Sequence, residues 1–77
     1  MKQELSQQAI GRRIRRLRQE RNMRVVTIAE KLRVTRQLIY AIEAGQKSLT
    51  VERLQQFSDL FKVNTDELLG RKSRKTA

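Results

Sequence analysis

The chain of 77 residues contains no cysteine, no histidine and no proline. Without cysteine it has no disulfide and no thiolate zinc site. Without histidine it lacks the commonest metal ligand and the usual general base at neutral pH. Clustered carboxylates and a glycine-rich phosphate loop are missing from the sequence as well. We therefore expect neither an enzyme nor a bound metal or cofactor.

Long apolar runs are also missing. No segment approaches the roughly 20 apolar residues that a membrane-spanning helix needs, and residues 1–10 lack the apolar run of a signal peptide. A cytoplasmic protein without membrane contact is the expectation. Aromatic residues make up 4% of the chain and apolar residues 38%. The core of one small domain must therefore come mainly from Ile, Leu and Val.

Basic residues dominate the charge. The chain has 18 Lys and Arg against 8 Asp and Glu, a net charge of +10. Four of the positive charges lie in the tail "RKSRKTA", so the rest of the chain is basic in its own right. Such an excess favours nucleic acid as the partner, ahead of an anionic membrane. The tail, residues 71–77, either adds non-specific DNA affinity or is a disordered, solubilising end.

Helical spacing of apolar residues recurs in five segments, and the alternating pattern of strands is absent. The segments are "SQQAIGRRIRRLRQERN", "VVTIAEKL", "TRQLIYAIEAG", "TVERLQQFSDLF" and "NTDELLG". Ser6, Thr35, Thr50 and Asn64 are the expected N-caps, and Gly45 ends the third helix. The pattern predicts an all-α domain of five helices over residues 6–70, with residues 1–5 and 71–77 unstructured.

The second and third helices are short and separated by three residues, as in a helix-turn-helix unit. The ordered stretches "IGRRIRRLRQERNM", "IAEKLRVTRQLIYAIEAG" and "LTVERLQQFSDLFKVNTDELL" resemble the lambda-repressor and Cro type of helix-turn-helix domain, the Xre family, over about residues 10–70. The resemblance implies a compact five-helix fold with the helix-turn-helix at helices 2 and 3. It also implies a homodimer that binds double-stranded DNA at a near-palindromic operator, with the third helix in the major groove.

The resemblance places the turn at residues 33–35 and the base-reading positions at Arg36, Gln37 and Ala41. Arginine and glutamine side chains bind guanine and adenine edges through two atoms, for about 1–3 kcal/mol of discrimination each. The alternative for both residues is a solvated helix surface. Tyr40 follows Arg36 by one turn and either stacks on the backbone or contacts a base. Leu38 either presses on a thymine methyl or packs against helix 2.

The phosphate-binding candidates are Arg18, Arg24, Arg33, Lys47 and Ser48. Relatives often begin helix 2 with a phosphate-binding glutamine, where this chain has Val25, and Arg24 is the candidate replacement. The resemblance pairs Arg18 with Glu43 in a structural ion pair and places the arginine near a phosphate. The other arginines of helix 1 are interpreted as a solvated face in preference to a phosphate-binding stripe. Lys47 and Ser48 either bind phosphate or are simply solvated.

Leu60, Val63 and Leu69 form either a dimer surface or a cover for helix 5, and family habit favours the dimer. The leading hypothesis is thus a homodimeric, sequence-specific repressor of transcription. The alternative is an antitoxin, or another protein-binding adaptor on the same fold, that represses its own promoter. The missing glutamine and the expectation that Val25, Val26 and Leu38 are exposed support this alternative.

Overall fold

The computed structural model describes residues 6–70, and α-helices are the regular elements within that range. The helices are α1 Gln7–Glu20, α2 Val25–Leu32, α3 Arg36–Glu43, α4 Val51–Phe61 and α5 Thr65–Leu69. The predicted all-α, five-helix fold is therefore confirmed. The expectations for residues 1–5 and 71–77, including the role of the basic tail, lie outside the described residues.

Side-chain caps begin four of the helices. Ser6, Thr35, Thr50 and Asn64 each accept a hydrogen bond from the backbone N–H three residues later, at 2.9–3.1 Å. Each such cap contributes roughly 1 kcal/mol to stability. Helix α2 differs, because Arg24 stands at its N-cap and makes no side-chain cap hydrogen bond.

Left-handed residues end several helices, and not all of them are glycine. Arg33 and Lys62 have φ values of 59° and 58°. The residues that follow them, Val34 and Val63, donate their N–H groups to carbonyls five positions back, at 2.9 and 3.1 Å. This is the longer hydrogen bond of the Schellman motif, which usually has glycine at the left-handed position. A side chain there costs roughly 1–2 kcal/mol.

Apolar residues from all five helices form the core, with α1 packed against α3, α4 and α5 and with α2 against α3. The buried apolar residues are Ile14, Leu17, Val25, Ile28, Ala29, Ile39, Ile42, Phe57, Phe61 and Leu68. Gly11 lies where α1 crosses α3. A Cβ atom on this residue would lie 2.6 Å from the Glu43 carbonyl oxygen, so only glycine allows the two helices to pack this closely.

The expectation that Val25, Val26 and Leu38 are exposed was wrong. Val25 is only 6% exposed and belongs to the core, because the first turn of α2 faces inward at this residue. Val26 is half-buried. Leu38 is also half-buried and packs against the core. The apolar patch invoked for a protein-binding adaptor is therefore not present on α2.

Candidate nucleic-acid interface

Helix α3 has a buried and an exposed side. Ile39, Ile42 and Glu43 are buried, whereas Arg36, Gln37 and Tyr40 are exposed. This division follows from the helical repeat, since residues three and four apart share a face. The inward residues hold α3 on the core and leave the polar ends of Arg36 and Gln37 in solvent.

Four candidate base-reading residues therefore share one side of α3, which we call the reading face: Arg36, Gln37, Tyr40 and Ala41. Tyr40 is 56% exposed and is one of two large hydrophobic side chains in residues 6–70 that stand in solvent. Ala41 is half-buried. The reading face thus has a charged and polar start and a flatter, less polar second turn.

The turn between α2 and α3 is held from both sides. The Val34 side chain is half-buried against the core. The Thr35 hydroxyl accepts a hydrogen bond from the Leu38 N–H at 3.1 Å. Because Arg36 is the first residue of α3, these two contacts fix the direction in which the reading face begins.

The ion pair between Arg18 and Glu43 joins α1 to the last turn of α3. Arg18 Nε donates to Glu43 Oε2 at 2.7 Å, and an Arg18 terminal nitrogen donates to Oε1 at 3.1 Å. The Arg18 side chain is 15% exposed and that of Glu43 is 6% exposed. The hydrogen bond to Glu43 raises the pKa of Arg18 against the opposing effect of burial. Arg18 therefore keeps its positive charge at neutral pH.

The remaining phosphate-binding candidates lie in the chain segments before and after α3. Arg24 and Arg33 stand at the two ends of α2, and Lys47 and Ser48 lie in the loop between α3 and α4. All four are exposed. The Gln7 side-chain amide donates to the Gly45 carbonyl at 3.1 Å, which ties this loop to the start of α1.

A concave surface that the sequence reasoning missed lies between α1 and α3. This α1–α3 depression is lined by Arg15, Arg18, Tyr40, Glu43 and Ala44. Arg15 is exposed and was assigned to the solvated face of the first helix. Its spacing of three residues from Arg18 was the available signal, because that spacing puts both arginines on one side of α1.

The other outward arginines of α1 lie away from this depression. Arg12, Arg13 and Arg16 line a separate surface on α1, and Arg13 approaches Gly70 at the end of α5. Arg16 Nε lies 3.7 Å from Glu20 in an exposed pair one helical turn apart. Arg12 and Arg16 are exposed, which fits the solvated-face interpretation. Arg13 does not fit it, because this side chain is half-buried and its Nη1 atom is buried without a hydrogen-bond partner among the described residues.

The predicted dimer residues lie on α4, on α5 and in the turn between them. Leu60, Val63 and Leu69 are all half-buried. Leu60 and Val63 also pack against the core of their own chain. Each of the three side chains thus keeps some apolar surface that the described residues do not cover.

No helix within residues 6–70 is long and apolar enough to cross a bilayer. Nor does this part of the chain bring three Asp or Glu side chains together as a metal site would require.

Comparison with known proteins decides the family. A family model described as helix-turn-helix matches residues 14–68, most of the chain. The chain belongs to the helix-turn-helix family of the lambda-repressor type. Members of this family are DNA-binding regulators of transcription, which normally have no enzymatic activity. Arg36 and Gln37 therefore lie on the second helix of the helix-turn-helix unit.

One solved structure supports the same fold. The restriction-modification controller protein C.AhdI from Aeromonas hydrophila superimposes on this helix-turn-helix protein with a TM-score of 0.75. The two chains are 21% identical, and the match covers 80% of this chain and 94% of the controller protein. At this identity the likeness concerns the fold. No curated protein shows a significant match to the chain.

Proposed function

We propose that this helix-turn-helix protein is a homodimeric repressor that places α3 in the major groove of a near-palindromic operator. The observation that carries the proposal is the reading face. Arg36 and Gln37 stand exposed in the first turn of a helix whose start and end are both held. A helix fixed in this way presents side chains in a constant register to base edges.

Sequence discrimination comes from the first turn of α3. The Arg36 guanidinium suits O6 and N7 of guanine, and the Gln37 amide suits N6 and N7 of adenine. Tyr40 and Ala41 extend the contact by one turn, where an aromatic ring and a methyl group favour apolar features of the major groove. Leu38 is not part of this surface because it packs against the core.

Affinity comes mainly from basic residues, together with one serine, that flank α3. Two exposed residues precede α3 in the chain, Arg24 and Arg33, and two exposed residues follow it, Lys47 and Ser48. Contacts of such residues with phosphates position a protein on the duplex without reading its sequence. The excess of basic residues, with a net charge of +10, supports a binding constant that falls steeply with salt.

The dimer places two copies of α3 on successive turns of one face of the duplex. Leu60, Val63 and Leu69 supply the proposed contact between subunits, since each retains uncovered apolar surface. Two half-sites would then lie about 34 Å apart, the length of one turn of B-DNA.

Selection of bound duplexes from a random DNA pool tests the proposal. The expected result is a pair of inverted half-sites about one helical turn apart, whose binding weakens as salt is raised. The control is the variant with Arg36 and Gln37 both replaced by alanine, which we expect to enrich no common sequence. Enrichment of the same motif by the variant and the native chain would contradict α3 as the reader.

A further inference from the structure

We propose that the α1–α3 depression binds one phosphate of the DNA backbone through Arg15 and the Tyr40 hydroxyl, beside Arg18. The inference rests on the proposed function. It assigns Arg15 to the interface, and it gives Tyr40 a contact with the backbone at the edge of the reading face.

The charges lining the depression favour an anion. Within residues 6–70 no carboxylate forms an ion pair with Arg15, whereas Arg16, Arg18 and Arg21 each have an acidic partner. Glu43 also lines the depression, but Arg18 already neutralises its carboxylate through two hydrogen bonds. The Arg15 charge is thus the uncompensated one at this surface.

Arg18 is held rigidly and still has donors to spare. Its guanidinium makes two hydrogen bonds to Glu43 and one, at 3.2 Å, to the Met23 carbonyl. A guanidinium carries five N–H groups, so two remain. With 15% of the side chain exposed, Arg18 supplies fixed N–H donors, and the solvent-exposed Arg15 supplies the charged contact that can move to the ligand.

Tyr40 connects the depression with the reading face. Its side chain is exposed and lies one turn beyond Arg36 on the same side of α3. A phenol hydroxyl can donate a hydrogen bond to a phosphate oxygen. A phosphate bound here would set the depth and rotation of α3 in the groove, because contacts with the backbone fix the register in which base edges are read.

The first test compares two arginines of the same helix. Arg15 and Arg16 are both exposed on α1, but only Arg15 lines the depression. We expect Arg15→Ala to weaken binding to all duplexes alike, by roughly threefold to tenfold. It should also lower the salt slope, the steepness with which the logarithm of the binding constant falls with the logarithm of salt concentration, by about 0.9. Arg16→Ala should change affinity by less than about twofold. Because both residues are exposed, thermal unfolding of the two variants should coincide.

The second test locates the phosphate. In the selected operator, single phosphates are replaced in turn by uncharged methylphosphonates. We expect one position per half-site at which replacing the phosphate weakens binding by the native protein but does not further weaken binding by Arg15→Ala. Tyr40→Phe removes only the hydroxyl. This variant should bind the operator more weakly, should be less sensitive than the native protein to replacement of that same phosphate, and should keep the sequence preference.

Several outcomes would overturn the inference. One is that Arg15→Ala and Arg16→Ala change the affinity and the salt slope equally. Another is that Arg15→Ala changes the sequence preference. Saturable binding of inorganic phosphate that Arg15→Ala abolishes, with duplex affinity unchanged, would show a free-anion site instead. If the native protein binds DNA specifically and Arg15→Ala binds equally well, this inference alone is refuted. If the native protein binds no duplex, both the inference and the proposed function are refuted.

Discussion

Arg18 and Glu43 are 25 positions apart in the chain, and two nearly buried hydrogen bonds of 2.7 and 3.1 Å join them. The pair links α1 to the last turn of α3, while Thr35 caps the first turn of that helix. Bidentate arginine–carboxylate pairs restrict orientation as well as distance. The reading face is therefore fixed at both ends of a helix of eight residues.

Removing one partner of this pair should destabilise the protein strongly. Glu43→Gln leaves the Arg18 charge poorly compensated in a nearly buried position, and we expect a loss of about 3–5 kcal/mol in the free energy of unfolding. Glu20→Gln, in the exposed pair with Arg16, is the matched control and should lose at most about 1 kcal/mol. Urea unfolding followed by circular dichroism measures both, and equal losses would contradict the structural role of Glu43.

Arg36→Ala and Lys47→Ala should affect DNA binding in different ways. Arg36→Ala should relax the preference at one base pair by about 1–3 kcal/mol, because it removes a contact with a base edge. Lys47→Ala should weaken selected and random duplexes by the same factor and lower the salt slope by about 0.9. Fluorescence anisotropy with both duplexes at several salt concentrations distinguishes the two. An unchanged preference in Arg36→Ala would exclude it as a reader.

Lys62→Gly should stabilise the protein. Lys62 is exposed at the end of α4 with a φ of 58°, a conformation that costs a side chain roughly 1–2 kcal/mol. Glycine removes this strain but loses more entropy on folding, by roughly 0.5–1 kcal/mol. A net gain of about 0.5–1 kcal/mol should raise the melting temperature by roughly 2–8 °C. An unchanged or lower melting temperature would show that the lysine side chain stabilises this turn.

Leu69→Glu should separate the subunits of the proposed dimer. A charge placed in an apolar contact between subunits must be desolvated without a partner, which disfavours association. Sedimentation equilibrium should give a dimer for the native chain and a monomer for the variant. Val51→Glu, which adds the same charge at a position 84% exposed on α4, should remain dimeric.

A matching result on DNA is expected for the Leu69 variant. Its binding to an isolated half-site should be close to native, while the gain from a second half-site should disappear. A circular dichroism spectrum like that of the native chain is the control for folding. A native chain that is monomeric at the concentrations that saturate the operator would contradict the proposed dimer.

Local sequence signals were enough to predict most of the helix starts. Ser6, Thr35, Thr50 and Asn64 act within three residues of their own position, so the residue type and the following apolar pattern suffice. The end of α3 was also predictable, because Gly45 takes a left-handed conformation with a φ of 78°. The exposure of Arg36 and Gln37 was predictable too, because the helical spacing places them away from the apolar residues of α3.

Surface assignments that depend on neighbouring helices were less predictable. Val25 was expected to be exposed, yet it is buried. Arg21 carries the same charge as the solvated arginines of α1, but it bonds to the Phe61 carbonyl at 3.1 Å and lies over the ring of that residue. For Val25 a local signal existed, because it stands three and four residues before Ile28 and Ala29 on the apolar side of α2. The contact of Arg21 leaves no mark in the local sequence, since Phe61 is distant along the chain.

The sequence by itself therefore determined the five helices, the basic character and the family, because caps, helical periodicity and net charge are local or additive properties. Only the tertiary structure decided how individual side chains are used. It set how deeply the Arg18–Glu43 pair is buried, packed Leu38 on the core, and placed Arg15 but not Arg16 beside Tyr40. The physical reason is that burial and charge compensation depend on the packing of α1 against α3, which brings together residues far apart in the chain.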